Sequence, residues 1–180
     1  MTLHPRIMDE RMNSKKKYFN FNYNYAQFGG YAPNSVNLGD YVQSIAAQQF
    51  LPRVGAFVDR DDFGALPNDP GCRLIANGWY HLSDSRHVPP PEVRPLYVAF
   101  HINNVEDAQK FPNLLSRLKA QSRETPVGCR DLGTWRFLRQ AGVESYFSSC
   151  LTTTLERGRF THAGERRGVV FGVCQVSCRK

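Results

Sequence analysis

The chain has 180 residues, 41% of them apolar and 12% aromatic, which is enough for one sizeable core and makes one domain the default expectation. Its net charge of +7 comes from 23 Lys and Arg against 16 Asp and Glu, but residues 1–17 hold five bases against two acids and residues 156–180 hold six against two. The intervening body carries twelve of each, so a continuous phosphate-tracking stripe finds little support and no nucleic-acid partner is expected.

The leader "MTLHPRIMDERMNSKKK" lacks an apolar core segment, so it reads as a basic extension rather than a secretory signal or membrane anchor. The longest apolar run, "GVVFGVCQV" from Gly168, is about half of the ~20 residues a membrane helix needs and reads as a buried strand. No membrane span is expected. Five cysteines without an export signal favour reduced thiols and a cytoplasmic protein. None forms a CxxC pair, and Cys174 and Cys178 have no His or second Cys pair at ligand spacing, so no metal site is expected.

In chain order, "YFNFNYNY" (Tyr18 to Tyr25) alternates aromatics with Asn, the period-2 pattern of a strand with one buried face. The loop "AQFGGYAPNS" leads to "NLGDYVQSIAAQQFLP", where Val42, Ile45, Ala46 and Phe50 form one helical stripe that Pro52 helps to end. Buried strands are expected at "GAFVD" near Phe57, "RLIANGWY" near Leu74, "PLYVAFHI" near Val98 and "ESYFSSCL" near Phe147, with a further candidate at "PVGC". The segment "DAQKFPNLLSRLKAQ" places Ala108, Phe111, Leu115 and Leu118 on one helical face, with Pro112 marking a first turn or a kink. In "DLGTWRFLRQAGV" the face is Leu132, Trp135 and Leu138, Asp131 is a natural N-cap and Gly142 a stop. The proline-rich "RHVPPPEVRP" reads as a stiff surface connection.

Strands alternating with helices imply an α/β, Rossmann-like, mostly parallel sheet with helices on both faces. Residues 1–17 form the leader, 18–155 the Rossmann-like domain, and 156–180 a divergent basic tail with one possible strand.

Ligands bind such sheets outside the carboxyl ends of the strands. That rule selects Asn37 to Asp40, Asn77 to Trp79, His101, and Cys129 to Asp131. "NLGD" has one glycine and an acid where a phosphate cradle would have several glycines and no acid. Asp40 either caps its own helix or, with Asn37, orients substrate hydroxyls, Asp40 then acting as a base while Gly39 admits a ligand to the backbone. Arg130 offers a forked donor for a carboxylate or phosphate, unless a neighbouring acid takes it. Asp131 is a cap or a binding residue, His101 a proton shuttle or a structural imidazole, and Trp79 a sugar platform or a core aromatic. Cys129 and Cys150 read as unreactive thiols, because no base is paired with either.

Taken in series, "NLGDYVQSIAAQQFLP", "DRDD", "LIANGWY", "PLYVAFHIN", "PVGCRD" with "TWRFLRQAGV", and "YFSSCLTTTL" resemble the N-terminal half of the polysaccharide pyruvyl transferase family over about residues 37–155. The resemblance implies half of a GT-B-like pair of Rossmann-like domains, with the active site in the cleft between them. It implies transfer of a pyruvyl group from phosphoenolpyruvate to a sugar hydroxyl in a cell-envelope or exopolysaccharide precursor, with no metal or tightly bound cofactor. Carried over by motif, Arg130 would clamp the donor carboxylate or phosphate, Asp40 and Asn37 would face the acceptor hydroxyls, and Asp40 and His101 would serve catalysis. Gly39, Gln43, Asn77, Trp79 and Asp131 complete the candidate substrate-binding set. The family's second domain, with a histidine expected to act as acid, has no counterpart before Lys180. The isolated chain is therefore expected to be incomplete unless another chain or a homo-oligomer supplies that half. The other expectation is a non-catalytic remnant or carbohydrate-binding module, and the tail is read as a divergent or frame-shifted end.

Overall fold

Among the described residues, β-branched and aromatic runs bounded by Gly and Pro form six strands, all parallel, in the order β2-β1-β3-β4-β5-β6. The structure is a computed structural model, and it describes residues 16–23, 37–80, 82–103 and 111–156. The strands are β1 (Lys17–Asn22), β2 (Ala56–Asp59), β3 (Cys72–Tyr80), β4 (Leu96–Ile102), β5 (Val127–Cys129) and β6 (Ser145–Phe147). The helices are α1 (Leu38–Gln48), the single-turn α2 (Asp84–His87), α3 (Pro112–Ser122) and α4 (Leu132–Gln140), with 3₁₀ turns at Phe63–Ala65 and Leu151–Thr154. The expected α/β, Rossmann-like, mostly parallel sheet is thus present.

Two cores lie on opposite faces of the sheet. The larger joins Phe19, Phe21, Leu74, Tyr80 and Phe100 to Leu114 and Leu118 of α3 and Leu138 of α4. The smaller joins Ala46 and Ala47 of α1 to Ile75, Ala99 and Leu151. Between Ala76 and Gly78 the β3–β4 register shifts, and Gly78 and Ala99 both adopt positive φ, of 107° and 52°. This bulge changes the phase of β4: Tyr97, Phe100 and Ile102 join the larger core, whereas Val98 and Ala99 both face α1. His101, between Phe100 and Ile102, is therefore turned toward the α1 side of the sheet.

Several sequence expectations change in the structure. β1 is buried on both faces, because Asn20 is 2% exposed and donates to the Ser44 carbonyl of α1 at 3.1 Å. Asn24 and Tyr25 lie outside the described residues, as do Ala108 and the run 168–176. On α1 the expected stripe is largely reversed. Val42, Ile45 and Phe50 are 39%, 40% and 55% exposed, while Asp40, Gln43, Ser44, Ala46 and Ala47 are buried. The physical reason is the polarity of the strand face beneath: Asn20, Asn77 and Trp79 offer hydrogen-bonding groups that a purely apolar helix face could not satisfy.

β2 and β6 are edge strands rather than buried ones, with Phe57, Tyr146 and Phe147 about half or more exposed. Pro112 opens α3 at its first turn, and Leu114, absent from the expected face, is fully buried beside Phe111 and Leu118. Asp131 caps α4 by accepting from the Thr134 amide, and Gly142 follows the helix at φ +75°. Leu132 of the expected α4 face is exposed instead. The proline-rich connection is partly interior: His87 and Val93 are completely buried, and Arg117 and Gln121 of α3 donate to the carbonyls of Pro90, Pro91, Val93 and Pro95.

No helix among the described residues is long and apolar enough to cross a membrane.

Candidate functional site

In the order 2-1-3-4-5-6 the direction of winding reverses between β1 and β3, and crevices above such a reversal hold ligands in open α/β sheets. α1 rises there. Its N-cap is Asn37, whose side chain accepts from the Gly39 amide at 3.0 Å, so the capping role falls to Asn37 rather than Asp40.

Asp40 is drawn beneath the helix and is 1% exposed. One carboxylate oxygen accepts the Trp79 indole N–H at 2.9 Å, and the other lies 2.9 Å from Nη1 of Arg60, a contact that is an ion pair by distance, with the N–H not aimed along it. Arg60 is itself 4% exposed. Its guanidinium lies over the rings of Tyr23 and Trp79, at 5.1 and 4.8 Å from their centroids, and donates to Asp61 at 2.9 Å. Burial alone would raise the Asp61 carboxyl, but the His87 imidazole and the Arg60 guanidinium outweigh it and hold it at about 2. Burial likewise disfavours the charged form of Arg60, yet Asp61 and Asp40 prevail and keep it firmly protonated. The Tyr23 hydroxyl bonds to the Asp40 carbonyl at 2.7 Å and to Ser44 Oγ at 2.6 Å, and desolvation pushes its ionisation upward.

Trp79, His101 and Arg130 form a row across the carboxyl ends of three neighbouring strands. Trp79 is paired in register with His101, and Phe100 with Cys129, which brings His101 level with Arg130. The Arg130 amide continues the ladder by donating to the Phe100 carbonyl at 2.9 Å. Its guanidinium reaches Gln43 Oε1 over a long 3.4 Å, and among the described residues it has no acidic partner. Gln43 thus links α1 to the row, and it also lies against Gly78, where an added Cβ would stand 3.1 Å from Gln43 Oε1.

Beside Arg130, Asp131 accepts two hydrogen bonds from Thr134 and lies in close contact with His101. Oδ1 takes the Thr134 amide at 2.9 Å, while Oδ2 takes the Thr134 hydroxyl at 2.9 Å and meets His101 Nδ1 at 2.5 Å. Partial burial raises the Asp131 carboxyl, but the Thr134 amide, His101 and the Thr134 hydroxyl together lower it below the usual carboxylate range.

The site residues expected from sequence therefore separate into two groups. Gln43, Trp79, His101, Arg130 and Asp131 gather at the carboxyl edge, with Asn37 and Gly39 at the start of α1. Asp40 and Asn77 lie under the helix, each 1% exposed, and Asn77 donates to the Gln43 carbonyl at 3.0 Å. Burial removes both from the reach of a ligand and makes them part of the scaffold.

Cys129 is buried, its thiol pushed up to about 12 by desolvation and by Asp131 against an opposing hydrogen bond from Ser145. Sequence reading passed over Arg60 and Asp61, which entered only as part of "DRDD", and Ser148, whose hydroxyl accepts from the Ala99 amide at 3.0 Å and donates to the Cys129 carbonyl at 3.1 Å. An arginine set among three aspartates directly after a strand was the available signal.

Among the described residues no group of three His, Cys, Asp or Glu side chains is placed to hold a metal ion. The arrangement offers one uncompensated cation beside a carboxylate-buttressed imidazole, a pairing suited to an anionic ligand and a proton transfer. In comparisons with known proteins, the chain matches no protein-family model, no curated protein and no solved structure.

Proposed function

We propose that the protein is a polysaccharide pyruvyl transferase-like chain that contributes one half of a GT-B-type cleft. Arg130 holds the carboxylate or phosphate of phosphoenolpyruvate, and His101 exchanges a proton with the hydroxyl of a sugar acceptor. The observation that carries this reading is the position of Arg130, at the carboxyl edge of the sheet, without an acidic partner among the described residues and level with the His101–Asp131 pair. The series of sequence blocks that resembles the family supports it from a separate direction.

In the proposed reaction a proton adds to the terminal enol carbon of the donor and leaves the adjacent carbon electrophilic. A sugar hydroxyl attacks that carbon, giving up its proton, and phosphate departs. A second hydroxyl then adds to the carbon that phosphate has left, its proton passing to the departing phosphate, and closes the ketal. The half-reaction needs a cation to hold the anionic donor and a base near the attacking oxygen. Asp40 is not assigned the base, because its carboxylate is committed to Arg60 and Trp79.

The test is titration of the full chain with phosphoenolpyruvate, followed by calorimetry, and then phosphate release in the presence of sugar acceptors. Saturable binding that Arg130→Ala abolishes is the expected result. Absence of saturable binding, or binding unchanged in Arg130→Ala, overturns the assignment. Binding that depends on Arg130, with no phosphate release even when a second half is supplied, would instead support a non-catalytic module.

A further inference from the structure

The hydrogen-bond accounting around Asp131 determines where the protons lie on His101. The Thr134 hydroxyl has a single proton. It accepts from the Ile102 amide at 3.0 Å, and its own proton goes to Asp131 Oδ2 at 2.9 Å. Thr134 is 1% exposed, so water does not substitute for either bond. An ionised Asp131 has no proton to give, and the remaining close contact, His101 Nδ1 to Oδ2 at 2.5 Å, therefore requires the proton to sit on Nδ1. The other ring nitrogen, Nε2, then carries the lone pair. It has no hydrogen-bond partner among the described residues, and the side chain is 23% exposed.

We propose that Asp131 is a positioning residue that fixes His101 in the Nδ1–H tautomer, so that Nε2 is the base that receives the proton of a hydroxyl-bearing substrate held beside Arg130. The O–H bond breaks as the oxygen bonds to the electrophilic carbon, and the proton passes to Nε2. The resulting imidazolium is stabilised by the Asp131 carboxylate against Nδ1–H. The tautomer follows from the hydrogen-bond geometry around an ionised Asp131, whereas the identity of the hydroxyl substrate rests on the reading in the preceding section.

The β4 bulge and the α4 cap serve one arrangement. The bulge turns His101 toward the α1 side of the sheet, and the cap presents Asp131 at the level of the ring. A purely structural Asp131 would need only Oδ1, which caps α4 through the Thr134 amide. Asp131→Asn separates the two roles, since Asn is as good an N-cap as Asp. Its amide group, however, donates to Nδ1 and reverses the tautomer.

The deciding measurement is the ¹⁵N and ¹H spectrum of the histidine rings in the full-length protein, with His101 assigned by its loss in His101→Gln. Native protein is expected to show Nδ1 protonated and Nε2 bare, and Asp131→Asn the reverse, with the helical circular dichroism of the native chain retained. Diethyl pyrocarbonate, scored by mass spectrometry of the His101 peptide, is expected to modify native protein faster than Asp131→Asn, because Nε2 of the partly exposed ring carries the lone pair only in the native tautomer. An Nε2–H tautomer in native protein, the same tautomer in both proteins, or a native His101 that resists the reagent overturns the proposal. Neither measurement uses phosphoenolpyruvate, so a failure of donor binding at Arg130 stays distinct from a failure of this pair.

Discussion

Trp79 donates its indole N–H to Asp40 at 2.9 Å while Arg60, packed over the same indole, lies 2.9 Å from the other oxygen of that carboxylate. One aromatic side chain thereby joins the end of β3 to the first turn of α1 and to the turn after β2. The expected consequence is that this group acts as a unit. Removing one partner of a buried ion pair strands the other, which costs about 3–5 kcal/mol. Arg60→Ala should lose stability of that order in urea unfolding, since it leaves the buried Asp40 carboxylate without its cation. A loss below about 1 kcal/mol, the range of exposed pairs, would show that the cluster is solvated rather than sealed.

Asp61 makes the stability depend on acid. Its carboxyl ordinarily titrates near 3.8 and in the folded protein near 2, a depressed value. The stabilisation is thus fully present above the ordinary value and disappears as pH falls through the folded one. The difference in melting temperature between native protein and Asp61→Asn should be constant above about pH 5 and shrink between about pH 4 and pH 2. A gap that stays unchanged at pH 2 would remove Asp61 as its source.

The orientation of α1 is open to a direct comparison of neighbouring residues. Ile45 is 40% exposed and Ala47 is completely buried. Ile45→Glu should alter stability by no more than about 0.5 kcal/mol, as at other surface positions. Ala47→Leu should cost about 1–3 kcal/mol by overpacking the narrow space beneath the helix. The reverse ranking in chemical unfolding would return the Val42, Ile45 and Phe50 stripe to the interior.

Gly78 has φ +107° and faces Gln43 at close range. Gly78→Ala should cost on the order of 1–3 kcal/mol for the strained backbone and should also displace Gln43 from Arg130. Unfolding measurements test the first effect. A change in the chemical shift of the Gln43 side-chain amide tests the second, and an alanine variant as stable as the native chain with an unshifted Gln43 would contradict both.

The buried thiols supply a further check. Desolvation raises Cys129 to about 12 and raises Cys72 as well. Alkylation of native protein at pH 8 should leave both unmodified until denaturant is added, as peptide mass spectrometry can record. Rapid labelling of Cys129 in the absence of denaturant would mean that β5 opens locally.

Much of the sheet was legible because "RLIANGWY", "PLYVAFHI" and "PVGC" are runs that suit strands covered on both sides, and β3, β4 and β5 are such strands. The carboxyl-edge rule likewise selected Trp79, His101, Arg130 and Asp131 before their arrangement was known. The face of α1 was misread because apolar periodicity assumes an apolar surface underneath. The Asn residues alternating through "YFNFN" carried the opposite information, since Asn20 is a buried partner of α1 rather than the solvent side of a strand. The His101–Asp131 pair depends on the bulge that shifts the phase of β4, and no local pattern marks a non-glycine residue such as Ala99 for positive φ.

The polar seat of α1 also determines how that helix would come away. Two alanines, a few hydrogen bonds and one buried ion cluster hold it, so lifting it from the sheet uncovers little hydrocarbon compared with separating α3 or α4. An opening of this kind depends only weakly on urea, because that dependence scales with the surface exposed. In native-state hydrogen exchange the α1 amides should form a group whose protection scarcely changes as denaturant is first added, while those of β3 and β4 track the unfolding of the whole chain.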